Sequence, residues 1–237
     1  MVKKERTPQY PMHYPNITSG RFLARPNRFI AQVEIGGREE TCHVKNTGRC
    51  RELLVPGARV YLTASGNPKR KTKYDLVAVE KGTRLINMDS QAPNKVVQEW
   101  LEQGGLPGLT RIQPEYRYDQ SRFDFYLEQG SRKAFLEVKG VTLEENGVVR
   151  FPDAPTARGA KHLHELIRAG REGYGAYVFL VIQMENVDHF EPNWKTDPDF
   201  GQALLDAQEA GVHLLAYDCQ VTPDSLWIGK KVPVKIK

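Results

Sequence analysis

The stretch SRFDFYLEQGSRKAFLEVKG, residues 121–140, decides the fold of this chain, because it has the pattern of two alternating strands joined by a tight turn. Gly130 and Ser131 suit a two-residue hairpin turn. Side chains alternate between the two faces of a strand, so counting outward from the turn places Asp124 opposite Glu137 on one face. The pairs predicted on the other, mainly apolar face are Gln129 with Arg132, Leu127 with Ala134, Phe125 with Leu136, and Phe123 with Val138.

Two directly opposed carboxylates call for a partner of positive charge. Opposed residues have Cβ atoms about 4.5–5.5 Å apart, and like charges at that distance destabilise the sheet. A divalent cation between Asp124 and Glu137 removes that repulsion, and the same register brings Lys139, opposite Arg122, close to the cation. The alternative is a solvated polar face with no ligand, since charged residues alternate on many exposed strands.

The triplet Glu137-Val138-Lys139 after an upstream Asp124 resembles the core of the PD-(D/E)xK metal nucleases. The resemblance implies that the Asp and the Glu hold Mg²⁺ or Mn²⁺ and that the Lys orients the attacking water. Phe123 stands where the namesake proline of that family would be. The predicted catalytic residues are Asp124, Glu137 and Lys139, and the predicted metal ligands are Asp124, Glu137, the carbonyl of Val138, and Glu115 on the preceding strand.

The residues after this hairpin predict a mixed α/β layer. Asn146-Gly147 suits a second hairpin turn, and Thr156 can cap a helix that begins at Ala157. The apolar run 176–182 is typical of a buried strand, and a helix over 200–209 leads to a strand over 212–217. The residues predicted to contact phosphate from the first of these helices are Arg158, Lys161 and His162.

A wider set of motifs resembles the sugar fermentation stimulation protein A family. The resemblance covers nearly all of residues 20–235 and implies an OB-like barrel, a nuclease-like domain, DNA binding and a link to sugar-utilisation genes. The motifs are Lys45-Asn46-Thr47-Gly48, Val55-Pro56-Gly57, Lys69-Arg70-Lys71, Ser121-Arg122-Phe123-Asp124-Phe125, Glu137-Val138-Lys139, Val141-Thr142-Leu143, Phe151-Pro152-Asp153-Ala154 and Arg158-Gly159-x-Lys161-His162-Leu163-x-Glu165-Leu166.

The first third of the chain has the strand pattern of a small barrel. Short strands are predicted over 29–35, 40–45, 60–63, 76–79 and 85–86. A helix over 92–103 is assigned to the following domain. We therefore predict a mixed α+β protein in three parts: a flexible arm over 1–18, an OB-like barrel over 19–85, and a nuclease-like α/β domain with a mixed central sheet over 86–237.

Charge distribution points to a polyanionic partner. Residues 1–81 hold sixteen Lys and Arg against seven Asp and Glu, although the net charge of the whole chain is only +5. DNA, single- or double-stranded, is the simplest partner for such a surface. The basic residues predicted to bind it are Arg28, Lys45, Arg49, Lys69, Arg70, Lys71 and Lys73. The aromatic candidates for base stacking, for which core packing is the alternative, are Phe22, Phe29, Tyr61 and Tyr74.

Other functional classes find little support in the sequence. The three cysteines form no Cys-x-x-Cys pair, which argues against a zinc site or a redox motif. No apolar stretch is long enough for a membrane span, and the first residues lack a secretory core, so we expect a cytoplasmic protein. Two functions remain open: a DNA-binding, regulatory protein that keeps a nuclease architecture, and an active Mg²⁺- or Mn²⁺-dependent nuclease.

Overall fold

A computed structural model of the protein describes residues 12–46, 48–67 and 69–237. The strands of its first third are β1 (Met12–His13), β2 (Ile17–Asn27), β3 (Ile30–Ile35), β4 (Arg38–Val44), β5 (Arg59–Ala64), β6 (Tyr74–Lys81) and β7 (Arg84–Asn87). The remaining elements are α1 (Ala92–Glu102), β8 (Arg111–Tyr118), β9 (Ser121–Gln129), β10 (Arg132–Val141), β11 (Leu143–Glu145), β12 (Val148–Phe151), α2 (Ala157–Arg171), β13 (Gly175–Ile182), β14 (His189–Pro192), α3 (Pro198–Glu209), β15 (His213–Val221) and β16 (Ser225–Lys231).

Strands β2 to β6 form a closed, OB-like barrel. The sheet order is β4-β3-β2-β5-β6-β7, and a parallel pairing of β4 with β6 closes it. Val33, Leu62 and Leu76 fill the interior and are fully buried. The predicted barrel is confirmed, but the predicted strand at 85–86 lies in β7, which extends the sheet beyond the closure. The sequence did not reveal β2, because Phe22 is its single buried residue and gives no alternating apolar signal.

The second part is an α/β domain with the predicted mixed sheet, and helices cover both faces of that sheet. Its strand order is β1-β16-β15-β13-β10-β9-β8, with β10, β13 and β15 parallel. Helix α1 packs with Leu136 and Phe179 on one face, whereas α2 and α3 pack with Phe135 and Val178 on the other. Neighbouring residues of a strand point to opposite faces. Continuous apolar runs in β10 and β13 therefore supply buried side chains to the helix layers on both faces of the sheet.

The hairpin of residues 121–140 has the predicted register near its turn. The pairing runs from Gln129 with Arg132 to Phe125 with Leu136 and then stops. Phe123 packs against Phe135, on the face that α2 covers, while Val138 belongs to the α1 side. The predicted pair of Phe123 with Val138 is therefore wrong, because the two strands separate where the carboxylate of Asp124 enters between them.

The predicted flexible arm needs a correction over its last residues. Residues 1–11 lie outside the described part of the chain. Met12 and His13, however, form β1, which pairs with Leu226 and Ser225 of β16 at the edge of the second sheet. Tyr14 is also buried, and its hydroxyl donates to Asp89 over 3.3 Å. The second domain thus includes a strand that precedes the barrel in the chain.

A buried ion pair joins the barrel to the α/β part. Glu144 of β11 is 3% exposed, and its carboxylate lies 2.7 Å from both Lys81 Nζ and Arg84 Nη1 of the β6–β7 hairpin. The backbone N–H of Asn87 also donates to the carbonyl of Gln183. These contacts hold the barrel in a fixed position beside β10. Within the described ranges, no helix has the length and apolarity needed to cross a membrane.

Candidate metal centre and nucleic-acid cleft

Asp124 is held in place by two hydrogen bonds at the point where β9 and β10 separate. The backbone N–H of Val138 donates to Oδ2 over 2.7 Å, and the amide of Asn94 donates to Oδ1 over 2.8 Å. Asn94 lies in the first turn of α1, whose start packs against β10 at Gly140. The fold therefore fixes the orientation of this carboxylate before any ligand arrives.

Glu137 presents one occupied and one bare oxygen. Its Oε1 lies 2.5 Å from both Lys139 Nζ and His162 Nδ1. Its Oε2 is buried and has no hydrogen-bond partner among the residues described. Burying a carboxylate oxygen without a partner is costly. This orphaned atom is the position that a cation would satisfy.

The two carboxylates differ in their acidity, although both are buried. Burial and the negative charge of Glu137 raise the pKa of Asp124 above its usual range. Burial also opposes ionisation of Glu137, but hydrogen bonding from His162 and the charge of Lys139 outweigh it and lower its pKa. The strand ladder ends at Phe125 and Leu136, so the predicted pairings of Asp124 with Glu137 and of Arg122 with Lys139 are not formed.

The donors present fit a hard divalent cation. Carboxylate and carbonyl oxygens with several waters are the ligands that Mg²⁺ prefers in proteins. Within the part of the chain that the structure describes, no group of three His, Cys, Asp or Glu side chains is placed to hold a metal. Asp124 and Glu137 would therefore hold the ion together with backbone oxygen or water, and the ligand role of the Val138 carbonyl stays a prediction.

Glu115 is placed less favourably for metal binding. It lies on β8 with a positive φ of 54°, between residues that pair with β9 on either side of Asp124. Its side chain is 66% exposed and lies 3.2 Å from the guanidinium of Arg122. Glu115 could bind a metal directly only if its ion pair with Arg122 were broken, so its role as a metal ligand stays a prediction.

His162 lies behind Glu137 rather than toward solvent. Its side chain is 7% exposed, and Arg158 Nε lies 3.4 Å from its Nε2. Because an ionised carboxylate only accepts hydrogen bonds, Nδ1 is the donor to Glu137. The predicted phosphate contact by His162 is therefore revised to a supporting contact for Glu137. Arg158 and Lys161 are exposed on the same helix, and Lys161 Nζ lies 3.7 Å from Glu165.

A cleft of about 410 Å³ lies beside this centre, between the barrel and the second sheet. Lys139 and Val138 line one side, and Arg28 and Gly48 line the other. Arg150 of β12 adds a further positive charge to the lining. Residues far apart in sequence thus build a single cavity with Lys139 at its wall, and this arrangement was not visible from the sequence.

The barrel wall of the cleft is a loop organised by Arg25. The guanidinium of Arg25 donates to the backbone carbonyls of Arg28, Asn46, Gly48 and Arg49, over 2.7–2.9 Å. Asp153 from the second domain accepts a hydrogen bond from the N–H of Cys50 over 2.7 Å. These bonds fix the loop from both domains, and sequence reasoning did not single out Arg25 for this role.

The remaining basic candidates fall into two groups. Arg70 and Lys45 are paired with the buried carboxylate of Asp75, over 2.7 Å and 3.4 Å respectively. Lys45 also lies 3.5 Å from Asp89. Their charges are thus largely satisfied inside the protein, so they are poorly placed to bind phosphate. The candidates that are exposed and form no ion pair with a described residue are Arg28, Arg49, Lys69, Lys71 and Lys73.

Only one of the four aromatic candidates is well exposed. Phe22 is 1% exposed and belongs to the barrel core. Tyr61 donates its hydroxyl to Glu80, and Tyr74 packs against the core. Phe29, at the turn between β2 and β3, is 46% exposed, and the guanidinium of Arg28 lies 5.0 Å from its ring centre.

Comparisons with known proteins agree with this architecture. A family model described as the SfsA N-terminal OB domain matches residues 23–88, and one described as the sugar fermentation stimulation protein RE domain matches residues 91–225. The chain belongs to the sugar fermentation stimulation protein family. A sugar fermentation stimulation protein homolog of Desulfitobacterium hafniense is 60% identical over 95% of this chain and 99% of its own length. One from Clostridium beijerinckii is 59% identical over 94% and 99%.

A solved structure of the same family has the same fold. The structure of Pyrococcus furiosus SfsA in complex with Ca²⁺ matches 95% of this chain and 99% of its own, with a TM-score of 0.86 and 30% identity. The family resemblance and the two-domain fold that the sequence predicts are confirmed by these matches. Of the residues that line the cleft, Arg28 and Gly48 lie in the first matched range, and Val138 and Lys139 lie in the second.

Proposed function

We propose that this member of the sugar fermentation stimulation protein family binds DNA, largely without sequence preference, and uses a divalent cation at Asp124 and Glu137 to hold the phosphodiester backbone. The observation that carries the proposal is the bare, buried Oε2 of Glu137, whose chain neighbours Val138 and Lys139 line a cleft that also contains Arg28. A phosphate group supplies the negative charge that such a site lacks.

Two further observations support the proposal. Lys69, Lys71 and Lys73 are exposed and form a basic turn on the barrel. Among the described residues of the barrel there is no helix that could enter a DNA groove and contact base edges, which favours binding through phosphate. The Pyrococcus relative was solved in complex with Ca²⁺, a hard cation that takes oxygen ligands. The names of the relatives link them to sugar fermentation. We propose that this chain has the same link, and that it regulates sugar utilisation by binding DNA in the cytoplasm.

The site residues have separate tasks in this proposal. When bound, Mg²⁺ or Mn²⁺ supplies Lewis-acid chemistry, which lowers the pKa of a coordinated water and offsets phosphate charge. Asn94 and the N–H of Val138 hold Asp124 in one orientation. His162 holds Oε1 of Glu137, which leaves Oε2 for the cation. Lys139 donates to phosphate oxygen or water from the wall of the cleft.

Phosphodiester hydrolysis is the second candidate, and the position of Lys139 favours it. Its ammonium lies 2.5 Å from Glu137 and is 12% exposed, so it is held beside the metal position rather than extended into solvent. A fixed, partly desolvated ammonium can stabilise the charge that develops during attack on phosphorus.

Binding and cleavage are separated by one pair of assays on the same preparations. Binding is measured by fluorescence anisotropy of a labelled oligonucleotide in Ca²⁺, with Glu137→Gln as the variant and Glu102→Gln, at an exposed position at the end of α1, as the control. We expect Glu137→Gln to lose the cation-dependent part of the affinity and the control to keep it. Equal affinities of the two variants, with and without Ca²⁺, would contradict the metal-assisted grip.

Cleavage is measured on supercoiled plasmid in Mg²⁺ or Mn²⁺. Products that disappear in both Glu137→Gln and Lys139→Ala establish the enzyme. Products that survive in both variants come from a contaminating nuclease. The absence of products on duplex, single-stranded and branched substrates leaves the binding function alone.

A further inference from the structure

We infer that the substrate class of the cleft is single-stranded DNA, threaded between the barrel and the α/β sheet with one base stacked on Phe29. This inference rests on the proposed function, because it specifies which form of DNA reaches the same site. It does not depend on whether the strand is hydrolysed there.

The cleft is small compared with a double helix, which favours a single strand as its occupant. Its volume is about 410 Å³, near the lower end of the ~300–1,000 Å³ typical of small-molecule sites. A double helix is far larger, since its major groove alone is about 12 Å wide. Lys139, beside the metal position, lines this cavity together with the barrel residues Arg28 and Gly48. A phosphate that reaches Lys139 from the cleft must therefore pass between the two domains.

The two walls are held at a fixed separation. Arg25 ties the carbonyls of Asn46, Gly48 and Arg49 to the barrel, and Asp153 ties the N–H of Cys50 to the second domain. Glu144 adds the buried ion pair with Lys81 and Arg84. Widening the cleft to admit a duplex would break the contacts of Asp153 and Glu144 between the two domains. These contacts therefore favour a single strand over a duplex.

The charges in the cleft suit a single phosphodiester backbone. Arg28 is exposed and forms no ion pair within the described ranges, so its guanidinium is available to phosphate. Lys139 lines the opposite wall, and its ammonium lies 2.5 Å from Glu137. Asp153 also lines the cleft, but Oδ2 already accepts from Cys50. Arg150 is partly neutralised by Glu145 and Glu191 and contributes less.

Phe29 provides the surface on which a base can stack. It is the most exposed aromatic ring of the barrel, at 46%, and Arg28, which lines the cleft, lies 5.0 Å from its ring centre. Proteins that bind single strands combine a basic groove with aromatic platforms, since the bases of a single strand are free to leave their neighbours. A duplex keeps its bases paired and offers no such face.

The test compares three labelled DNAs of one sequence: a single strand, a blunt duplex, and a duplex with a single-stranded tail. Dissociation constants are measured by anisotropy in Ca²⁺ at one salt concentration. The variants are Phe29→Leu, which keeps an apolar side chain without an aromatic face, and Phe29→Trp, which restores one. We expect the single strand and the tailed duplex to bind at least tenfold more tightly than the blunt duplex.

Phe29→Leu should weaken single-strand binding about tenfold, and Phe29→Trp should bind like the wild type, because base stacking on an aromatic ring accounts for the difference. Blunt-duplex affinity should be the same in all three proteins. A blunt duplex that binds as tightly as the single strand overturns this inference and leaves the proposed function standing, as does a Phe29→Leu variant with unchanged affinity. If none of the three DNAs binds, the proposed function fails as well.

Discussion

At the scale of single residues, Glu137 shows how a buried carboxylate is prepared for a cation. Two donors, from Lys139 and His162, converge on one oxygen and leave the other without a partner in the described part of the protein. Because Oε1 already accepts two hydrogen bonds, only Oε2 of the carboxylate is left to bind a ligand. A second-sphere partner of this kind commonly changes metal affinity by a factor of about 10–100.

His162→Ala should therefore weaken Mn²⁺ binding about 10–100-fold, measured by isothermal titration calorimetry, because Glu137 loses the partner that fixes its orientation. His164→Ala is the matched control, since His164 is exposed on the same helix. Equal Mn²⁺ affinities of the two variants would show that His162 does not support the site.

The sequence predicted a site at Asp124, Glu137 and Lys139 but not the side chains that hold these residues in place. Period-two alternation was enough to bring Asp124, Glu137 and Lys139 together as a prediction. Asn94 and His162 contact the two carboxylates from helices 30 and 25 residues away in the chain. Those contacts depend on how α1 and α2 cross the sheet, which no local pattern encodes.

At the scale of elements, the start of α1 lies directly on β10 at Gly140. A Cβ added at Gly140 would lie 2.6 Å from Gln183 Oε1 and 2.8 Å from Pro93 Cγ. Gln183 cannot turn away easily, because its amide donates to Asn87 and to the carbonyl of Asp89. The glycine beside Lys139 is thus required by the close packing of a helix on a strand.

Gly140→Ala should lower the free energy of unfolding by about 1–3 kcal/mol, as overpacking of an interior usually does. Gly170→Ala, in α2, is the control, since an added Cβ there meets nothing within 4 Å. Alanine's higher helix propensity should make that control neutral or stabilising by up to about 1 kcal/mol. Urea denaturation of both variants measures the difference, and equal stabilities would refute the packing argument.

The basic turn between β5 and β6 should contribute to DNA affinity through its lysines. Replacing Lys69, Lys71 and Lys73 by Ala should weaken binding to all sequences and reduce the salt slope by up to about 0.9 for each lost phosphate contact on duplex DNA. Replacing Lys230, Lys231 and Lys235, also exposed, removes the same charge elsewhere and should leave the slope unchanged. Equal slopes in both triple variants would exclude the turn from the interface.

Arg70 was predicted to act with these lysines, and here the structure changes the expectation. Its two hydrogen bonds to the buried carboxylate of Asp75 lie within the barrel. Sequence proximity could not separate Arg70 from its neighbours, because the distinction depends on which side chain reaches the start of β6. Its replacement should therefore affect barrel stability more than the salt dependence of binding.

At the scale of the whole molecule, the Glu144 ion pair couples the two domains in a pH-dependent manner. Burial opposes its ionisation, but hydrogen bonds from Lys81, Gly147 and Arg84 lower the pKa of Glu144 from 4.5 to about 2. A carboxylate whose folded pKa is lowered stabilises the protein above its unfolded pKa. That contribution is lost as the pH falls from about 5 toward 2.

Glu144→Gln should consequently lower the free energy of unfolding by about 3 kcal/mol at pH 7, and the difference from the wild type should shrink as the pH is lowered to 3. Urea denaturation at several pH values measures it. Glu145→Gln is the control, because Glu145 is 65% exposed and next in the chain. A difference that stays constant with pH would show that the ion pair does not stabilise the folded state.

The two-domain organisation itself could be predicted, because each part carries its own periodic pattern and turn residues. The domain boundary in the chain could not be predicted fully. Met12 and His13 are too short a segment to show periodicity, and their partners Leu226 and Ser225 lie at the other end of the sequence. The cleft was also hidden, since its walls come from loops that only the packed domains bring together.

The position of β1 has a consequence for biosynthesis. A ribosome releases Met12 and His13 more than two hundred residues before their partners Leu226 and Ser225 are translated. This edge of the sheet therefore cannot close before Ser225 and Leu226 have been made, even though the barrel that follows β1 can fold as soon as β6 emerges. A nascent chain that stalls between β6 and β16 holds a folded barrel but leaves β1 unpaired.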